Sequence, residues 1–94
     1  MAHIAGGTIY HFDRKIGWID GNHIRNEEDG KRLGYWENDC VYGESGHKIA
    51  YLHEDNLVYA SGRVAASLEH INGEIRGGAS ILAKCAVKVL FDLQ

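Results

Sequence analysis

The chain of 94 residues has no proline, only two cysteines, no excess of basic charge and no long uninterrupted apolar run. Without proline its turns must be built from Gly, Asn, Asp and Ser, which reach positive φ or bond their own backbone at small cost, and twelve glycines are available for this. Cys40 and Cys85 lie in different segments with no CxxC or Cys/His ligand spacing, so both read as reduced, buried thiols. The stretch Met1–Gly7 lacks a charged segment followed by an apolar one, and a cytoplasmic location is the default expectation. The C-terminal apolar run is interrupted by Lys84, Lys88 and Asp92 and is shorter than a membrane span, so no membrane partner is expected.

Ten basic residues against thirteen acidic ones leave a formal net charge of −3. Nucleic-acid binders usually display a basic face that releases counterions from phosphates, and none is expected here. Catalytic templates are missing as well: there is no GxSxG, P-loop, HExxH or dinucleotide fingerprint. The histidines His3, His11, His23, His47, His53 and His70 form no close ligand pair, and Cys40 has no activating partner in sequence. No catalytic residue, metal ligand or cofactor is assigned, although a His–Cys or His–carboxylate pair assembled in space stays open. With 45% apolar and 24% charged residues, residues 1–94 read as one ordinary globular domain.

What the chain does have is a repeat. Gly30, Gly46, Gly62 and Gly78 fall sixteen residues apart, each preceded by an apolar–aromatic or apolar–basic pair and, for the first three, followed by an apolar–small–apolar run. The units run from Ile9-Tyr10 to Asp20, from Ile24-Arg25 to Glu37, from Val41-Tyr42 to His53 and from Val58-Tyr59 to Glu69, with a degenerate fifth start at Ile75-Arg76. Each reads as a β-hairpin, placing hairpins near 8–20, 23–37, 40–53 and 57–69. In the second strands, Gly17, Gly34, Ala50 and Ala66 share one face with Ile19, Trp36, Leu52 and Leu68, and the recurring small residue predicts close packing against the backbone.

The remaining segment, 79–94, is largely apolar, with Ser80, Lys84, Lys88 and Asp92 at every fourth position. That spacing favours a helix with a narrow wet stripe, while apolar residues at every odd position from Ala79 to Leu93 also fit a strand. The fold class is therefore mainly β, or α+β with a helical tail: four hairpin repeats over 8–78 and a C-terminal segment.

The phrase Tyr-x-x-x-Gly-x-x-Ile-Ala-Tyr-Leu at Tyr42–Leu52, with its relatives at Arg25–Trp36 and Ile9–Ile19, resembles the four-fold β-flower proteins. These are small, mostly bacterial chains of unassigned function, some from mobile gene cassettes. The resemblance covers about residues 8–78 and implies four hairpin petals about a pseudo-fourfold axis. It transfers no catalytic residue.

Three sets of residues are candidates for function. Trp18, Tyr35, Trp36 and Tyr51 offer aromatic area with polar handles and are the ligand-binding candidates. Asp20, Glu37, His53 and Glu69 hold the same place at the end of each second strand and would form a polar ring if the units converge, although strand ends are commonly polar because they lead into solvent. Ile81, Leu82, Cys85, Val89 and Phe91 present more apolar surface than a small β-domain readily covers, which points to a homo-oligomer interface. A further set of basic residues just after each turn is offset by Asp13, Glu27, Glu28, Asp29 and Glu44 and reads as mutually screened surface charge. The leading expectation is a non-enzymatic, homo-oligomeric binding or interaction module whose partner is a second copy, with an unidentified small ligand as a further partner. The alternative is a small-molecule- or metal-binding protein, or a small enzyme, using the aromatic and Asp/Glu/His sets.

Overall fold

Tight turns determine how this chain folds back on itself. In a computed structural model, which describes residues 1–93, the strands are β1 (Ala2–Ala5), β2 (Thr8–His11), β3 (Arg14–Asp20), β4 (His23–Asn26), β5 (Arg32–Glu37), β6 (Cys40–Gly43), β7 (Lys48–His53), β8 (Asn56–Tyr59), β9 (Val64–Ser67) and β10 (Ile75–Gly77). Helix α1 (Leu68–Glu74) lies between β9 and β10, and helix α2 (Ile81–Leu90) follows β10. Two-residue turns with positive φ at both positions join β1 to β2 through Gly6-Gly7, β2 to β3 through Phe12-Asp13, and β5 to β6 through Asn38-Asp39. This geometry matches the natural twist of paired strands and leaves antiparallel neighbours as the outcome.

One of these turns is poorly matched to its residues. Phe12 holds φ 53° and Asp13 φ 65°, and Phe12 remains 74% exposed, so its ring offsets little of the cost. A left-handed conformation costs a residue with a side chain roughly 1–2 kcal/mol. The double substitution Phe12→Asn with Asp13→Gly should therefore raise stability by about 1 kcal/mol, seen as a melting temperature about 4–8 °C higher. An unchanged or lower melting temperature would show that the Phe12 ring contributes more than its exposure indicates.

All ten strands form one sheet in the order β10-β1-β2-β3-β4-β5-β6-β7-β8-β9, antiparallel throughout except that β10 runs parallel to β1. Strands spaced about 4.8 Å apart would make a flat sheet about 43 Å wide. The longest dimension of the molecule is 31 Å, so the sheet is strongly curled. Its inner face carries Ala2, Ile4, Ile9, Ile24, Val41, Ala50 and Leu57, which close around Cys85, Ala86 and Val87 of α2 and Ile71 of α1. Helix α2 thus occupies the inside of the curl, and α1 bridges from the β9 edge back to the β10 edge.

Small residues make room for the helix. Across adjacent strands Ile9 faces Gly17, Ile24 faces Gly34, Val41 faces Ala50 and Leu57 faces Ala66, with a β-bulge immediately after each of the four large residues. A Cβ at Gly34 would collide with the carbonyl oxygen of Tyr42 and come within 2.7 Å of Leu90 Cδ2. One at Gly17 would collide with the Arg25 carbonyl and reach within 2.8 Å of the Phe91 ring. The expected close packing at these positions is therefore real, and both the neighbouring strand and α2 supply it.

Backbone bonds outside the ladders repeat in step. The amides of Ile19, Trp36, Leu52 and Leu68 donate to the carbonyls of Gly7, Asn22, Asp39 and Asp55 at 2.7, 3.1, 2.9 and 2.8 Å. At the turns, Asn26, Gly43 and Tyr59 donate to Lys31, His47 and Arg63, while Gly30, Gly46 and Gly62 donate back to Asn26, Gly43 and Tyr59.

Several expectations are corrected. In the fourth unit the position of Ile9, Ile24 and Val41 is taken by Leu57, not Val58, so Val58 is paired with Tyr51 and Tyr59 turns to the inner face, packed against the core. A slip of one residue exchanges the faces of a strand. Counting back from the turn glycine shows the same offset, since Leu57 precedes Gly62 by the interval separating Val41 from Gly46. Ile75-Arg76 begins no fifth hairpin but forms the parallel strand β10 against β1, a strand outside the expected hairpin region.

The tail is helical over Ile81–Leu90, capped by the Ser80 hydroxyl accepting from the Ala83 amide at 3.2 Å. Its expected wet stripe is absent at the centre, because Lys84 and Lys88 are 4% and 8% exposed. They face α1 instead: Lys84 Nζ donates to Asn72 Oδ1 at 2.8 Å, and Lys88 Nζ donates to Glu74 Oε1 at 2.7 Å and to the Leu93 carbonyl at 3.2 Å. Helix α1, which contains Glu69, stands where the fourth second strand was expected to end.

A candidate binding pocket beside Trp36

The four aromatic candidates are divided by strand alternation. Trp36 pairs with Val41 on the inner face, whereas Trp18, Tyr35 and Tyr51 pair with Thr8 and Arg25, with His23 and Tyr42, and with Cys40 and Val58 on the outer face. The outer rings are already engaged. Tyr35 stacks on Tyr42 at 5.0 Å with Arg32 5.0 Å from its ring, Lys15 lies 5.9 Å from Trp18, and Lys48 lies 5.4 Å from Tyr51. Burial and then a hydrogen bond with Cys40 push the Tyr42 phenol up from its ordinary range. Ring faces occupied by neighbouring rings and cations stabilise the single-layer sheet as cross-strand pairs and leave little free aromatic area.

On the inner side, a cavity of about 420 Å³ opens where the sheet, the β1–β2 turn and the start of α2 meet. It is lined by Ile4, Gly6, Gly7, Ile19, Trp36, Gly78, Ala79, Ser80 and Ala83. Trp36 is held at this place by its backbone: its carbonyl accepts from Asn22 Nδ2 at 2.8 Å and its amide donates to the Asn22 carbonyl. The rim is tied down by the Ile19 amide donating to Gly7 at 2.7 Å, and the two-glycine turn leaves space that side chains would fill. Most of the lining is apolar, with the Ser80 hydroxyl engaged as the helix cap.

The polar-ring residues are not gathered. Asp20, Glu37 and His53 sit exposed at the ends of β3, β5 and β7, and Glu69 is exposed on α1. Asp20 accepts from Arg25 Nε at 3.1 Å, and His53 has Glu54 as its acidic neighbour at 3.8 Å. Among the described residues no group of three His, Cys, Asp or Glu side chains is placed to hold a metal ion. Of the tail residues, Cys85 is sealed in the chain's own core, while Ile81, Leu82, Val89 and Phe91 pack against that core and keep part of their surface outside it. Burial pushes the Cys85 thiol up to about 11, slightly offset by Lys88, which keeps it protonated and unreactive near neutral pH.

Sequence reasoning reached Trp36 but not the rest of the pocket. Its other walls come from β1, β3 and the segment before α2, and the only local signal was the Gly6-Gly7 pair. No helix among the described residues is long and apolar enough to cross a membrane. No protein-family model matches the chain, and comparison with curated proteins and with solved structures finds no match.

Proposed function

We propose that this chain is a non-enzymatic binding module that holds a small, largely apolar ligand beside Trp36 and associates with further copies of itself. The cavity is the observation that carries the ligand reading. Its volume lies in the range of small-molecule sites, its walls are mostly apolar, and one large aromatic ring supplies contact area. Its lining includes no acid, base or thiol to move a proton or attack a substrate, which favours binding over catalysis.

The repeat is read as four copies of one hairpin unit arranged about a common axis, as the resemblance to four-fold β-flower proteins implies. The recurrence of the bulge and of the amide-to-carbonyl bonds supports this arrangement. In this reading the repeat is a scaffold, and the pocket arises where the repeat stops and the helix enters.

The test uses Trp36 as its own reporter. In a Trp18→Phe background, addition of 1-anilinonaphthalene-8-sulfonate should quench Trp36 emission saturably and enhance the probe's fluorescence. Ala79→Phe, which places a ring at a half-buried position of the cavity wall, should weaken that response at least tenfold while leaving the circular dichroism spectrum unchanged. Equal binding by both proteins would place the probe elsewhere and remove the basis for the pocket reading.

A further inference from the structure

The outer face of the sheet is furnished unevenly. Both helices pack on the inner side, so among the described residues no helix covers the outer one. There Lys15, Arg32 and Lys48 hold the same place in the first three second strands and lie 5.9, 5.0 and 5.4 Å from the rings of Trp18, Tyr35 and Tyr51. The fourth unit keeps the inner-face pair, Leu57 against Ala66, and the bulge beside it, but carries Val64 and Ser67 at the two outer positions. A ladder of this kind therefore forms without the cation and the ring, and their presence in three adjacent units is not a requirement of the fold.

The cations of this face are not equally neutralised. Glu27 holds Lys15 at 3.2 Å and Asp20 holds Arg25 at 3.1 Å. Arg32 and Lys48 take part in no ion pair among the described residues, and Arg32 donates instead to the neutral Glu44 carbonyl at 2.8 Å. They flank β6 from β5 and β7, two strand spacings or about 10 Å apart, with Tyr42 between them, opposite Lys48 and stacked on Tyr35. Arg25 stands directly opposite Arg32, where the first and third units have a tyrosine facing the cation. Like charges placed so disfavour the ladder, and an anion on this face relieves them. The acidic side chains that border the patch without pairing to it are Glu37 at the end of β5 and Glu44 just after β6, both exposed.

We infer that the outer face of β3 to β7 binds an extended polysaccharide carrying carboxylate or sulfate groups, laid across the strands so that successive anionic groups meet Arg32 and Lys48. The rings decide the class of partner. Single-stranded nucleic acid binds such surfaces by stacking its bases on free rings, and here the ring faces are engaged by cations and by one another. A charged polysaccharide bears its anions along the chain and needs no free ring face, while the rings keep the cations in place before it arrives. The net charge of −3 confines the attraction to this patch, within a Debye length of about 10 Å at 0.1 M salt, so binding is weak and salt-dependent. This rests neither on self-association nor on the Trp36 pocket, whose lining includes none of these residues.

Isothermal titration calorimetry with a heparin octasaccharide at low salt should show saturable binding that added salt weakens. Arg32→Gln with Lys48→Gln should weaken it at least about tenfold with an unchanged circular dichroism spectrum. Arg14→Gln with Arg63→Gln removes the same charge away from this face, since Arg14 lines a concavity with Phe91 of α2 and Arg63 rests 5.0 Å from the inward Tyr59 ring, and should leave binding within about twofold. Should the first double variant unfold, Lys48→Gln alone, at an exposed position, decides. No binding by the wild type, or equal loss in the two double variants, overturns the proposal. An oligodeoxythymidylate bound as tightly as the octasaccharide would identify a nucleic-acid surface and overturn the choice of partner.

Discussion

Gly34→Ala is expected to lower the melting temperature by about 12 °C or more, corresponding to roughly 3 kcal/mol or more of lost stability. The added methyl would meet two kinds of atom. Leu90 Cδ2, 2.7 Å away, is the end of a flexible side chain and can move aside, whereas the Tyr42 carbonyl belongs to the neighbouring strand and can yield only by opening the β5–β6 ladder. Core overpacking alone costs about 1–3 kcal/mol, and a collision with sheet backbone adds to it. Leu90→Ala in the same chain should therefore restore only part of the loss. As a control, Gly73→Ala near the end of α1, where a Cβ meets nothing within 4 Å, should be neutral or raise stability by about 0.5–1 kcal/mol. Thermal denaturation of the four proteins decides the matter. Gly34→Ala melting with the wild type would mean that β5 and β6 do not approach as closely at Gly34 as the ladder between them requires.

The second large effect concerns the polar contact between the helices. Lys88 is 8% exposed, and its ammonium group is compensated by Glu74 and the Leu93 carbonyl. Glu74→Ala leaves that charge buried with only a neutral acceptor. Removing one partner of a buried pair costs about 3–5 kcal/mol, and the 19% exposure of the Glu74 side chain places the expected loss at the lower end of that range. Replacing both partners, Glu74→Leu with Lys88→Met, should recover most of it, because the desolvation cost of the charges disappears together with their attraction. The signature is non-additivity in a double-mutant cycle measured by urea denaturation. Additive effects would indicate that water reaches Lys88 and that the two helices are held by apolar contacts alone.

The α1–α2 contact also shows where sequence patterning misleads. Lysines at every fourth position on an apolar helix read as a solvated stripe, since lysine is rarely buried without a partner. The partner here, Glu74, lies fourteen residues away on a helix that periodicity does not reveal: α1 has seven residues and buries only Ile71. The aromatic set fails for a related reason. Trp36 follows Tyr35 directly in the chain, but strand alternation sends one inward to the pocket and the other outward to stack on Tyr42.

By itself the sequence determined the strands β2 to β9 and most of their local register. The turn residues, the alternation of large and small residues and the spacing of the glycines are local properties, each written within about sixteen residues of chain, and they place the hairpins of β2 to β9 with one unit displaced by a single residue. The apolar character of the tail was legible for the same reason, its polar spacing favouring a helix while its odd positions also fitted a strand. Only the tertiary structure decided that the sheet curls around that helix, that β10 returns in parallel to β1, that Lys88 is buried against Glu74, and that Ile4, Ile19, Trp36 and Ala83 enclose a cavity. Each of these depends on how far ten twisted strands bend before the last segment is laid inside them. That curvature is a sum of small contributions along the whole chain, and no single stretch of residues records it.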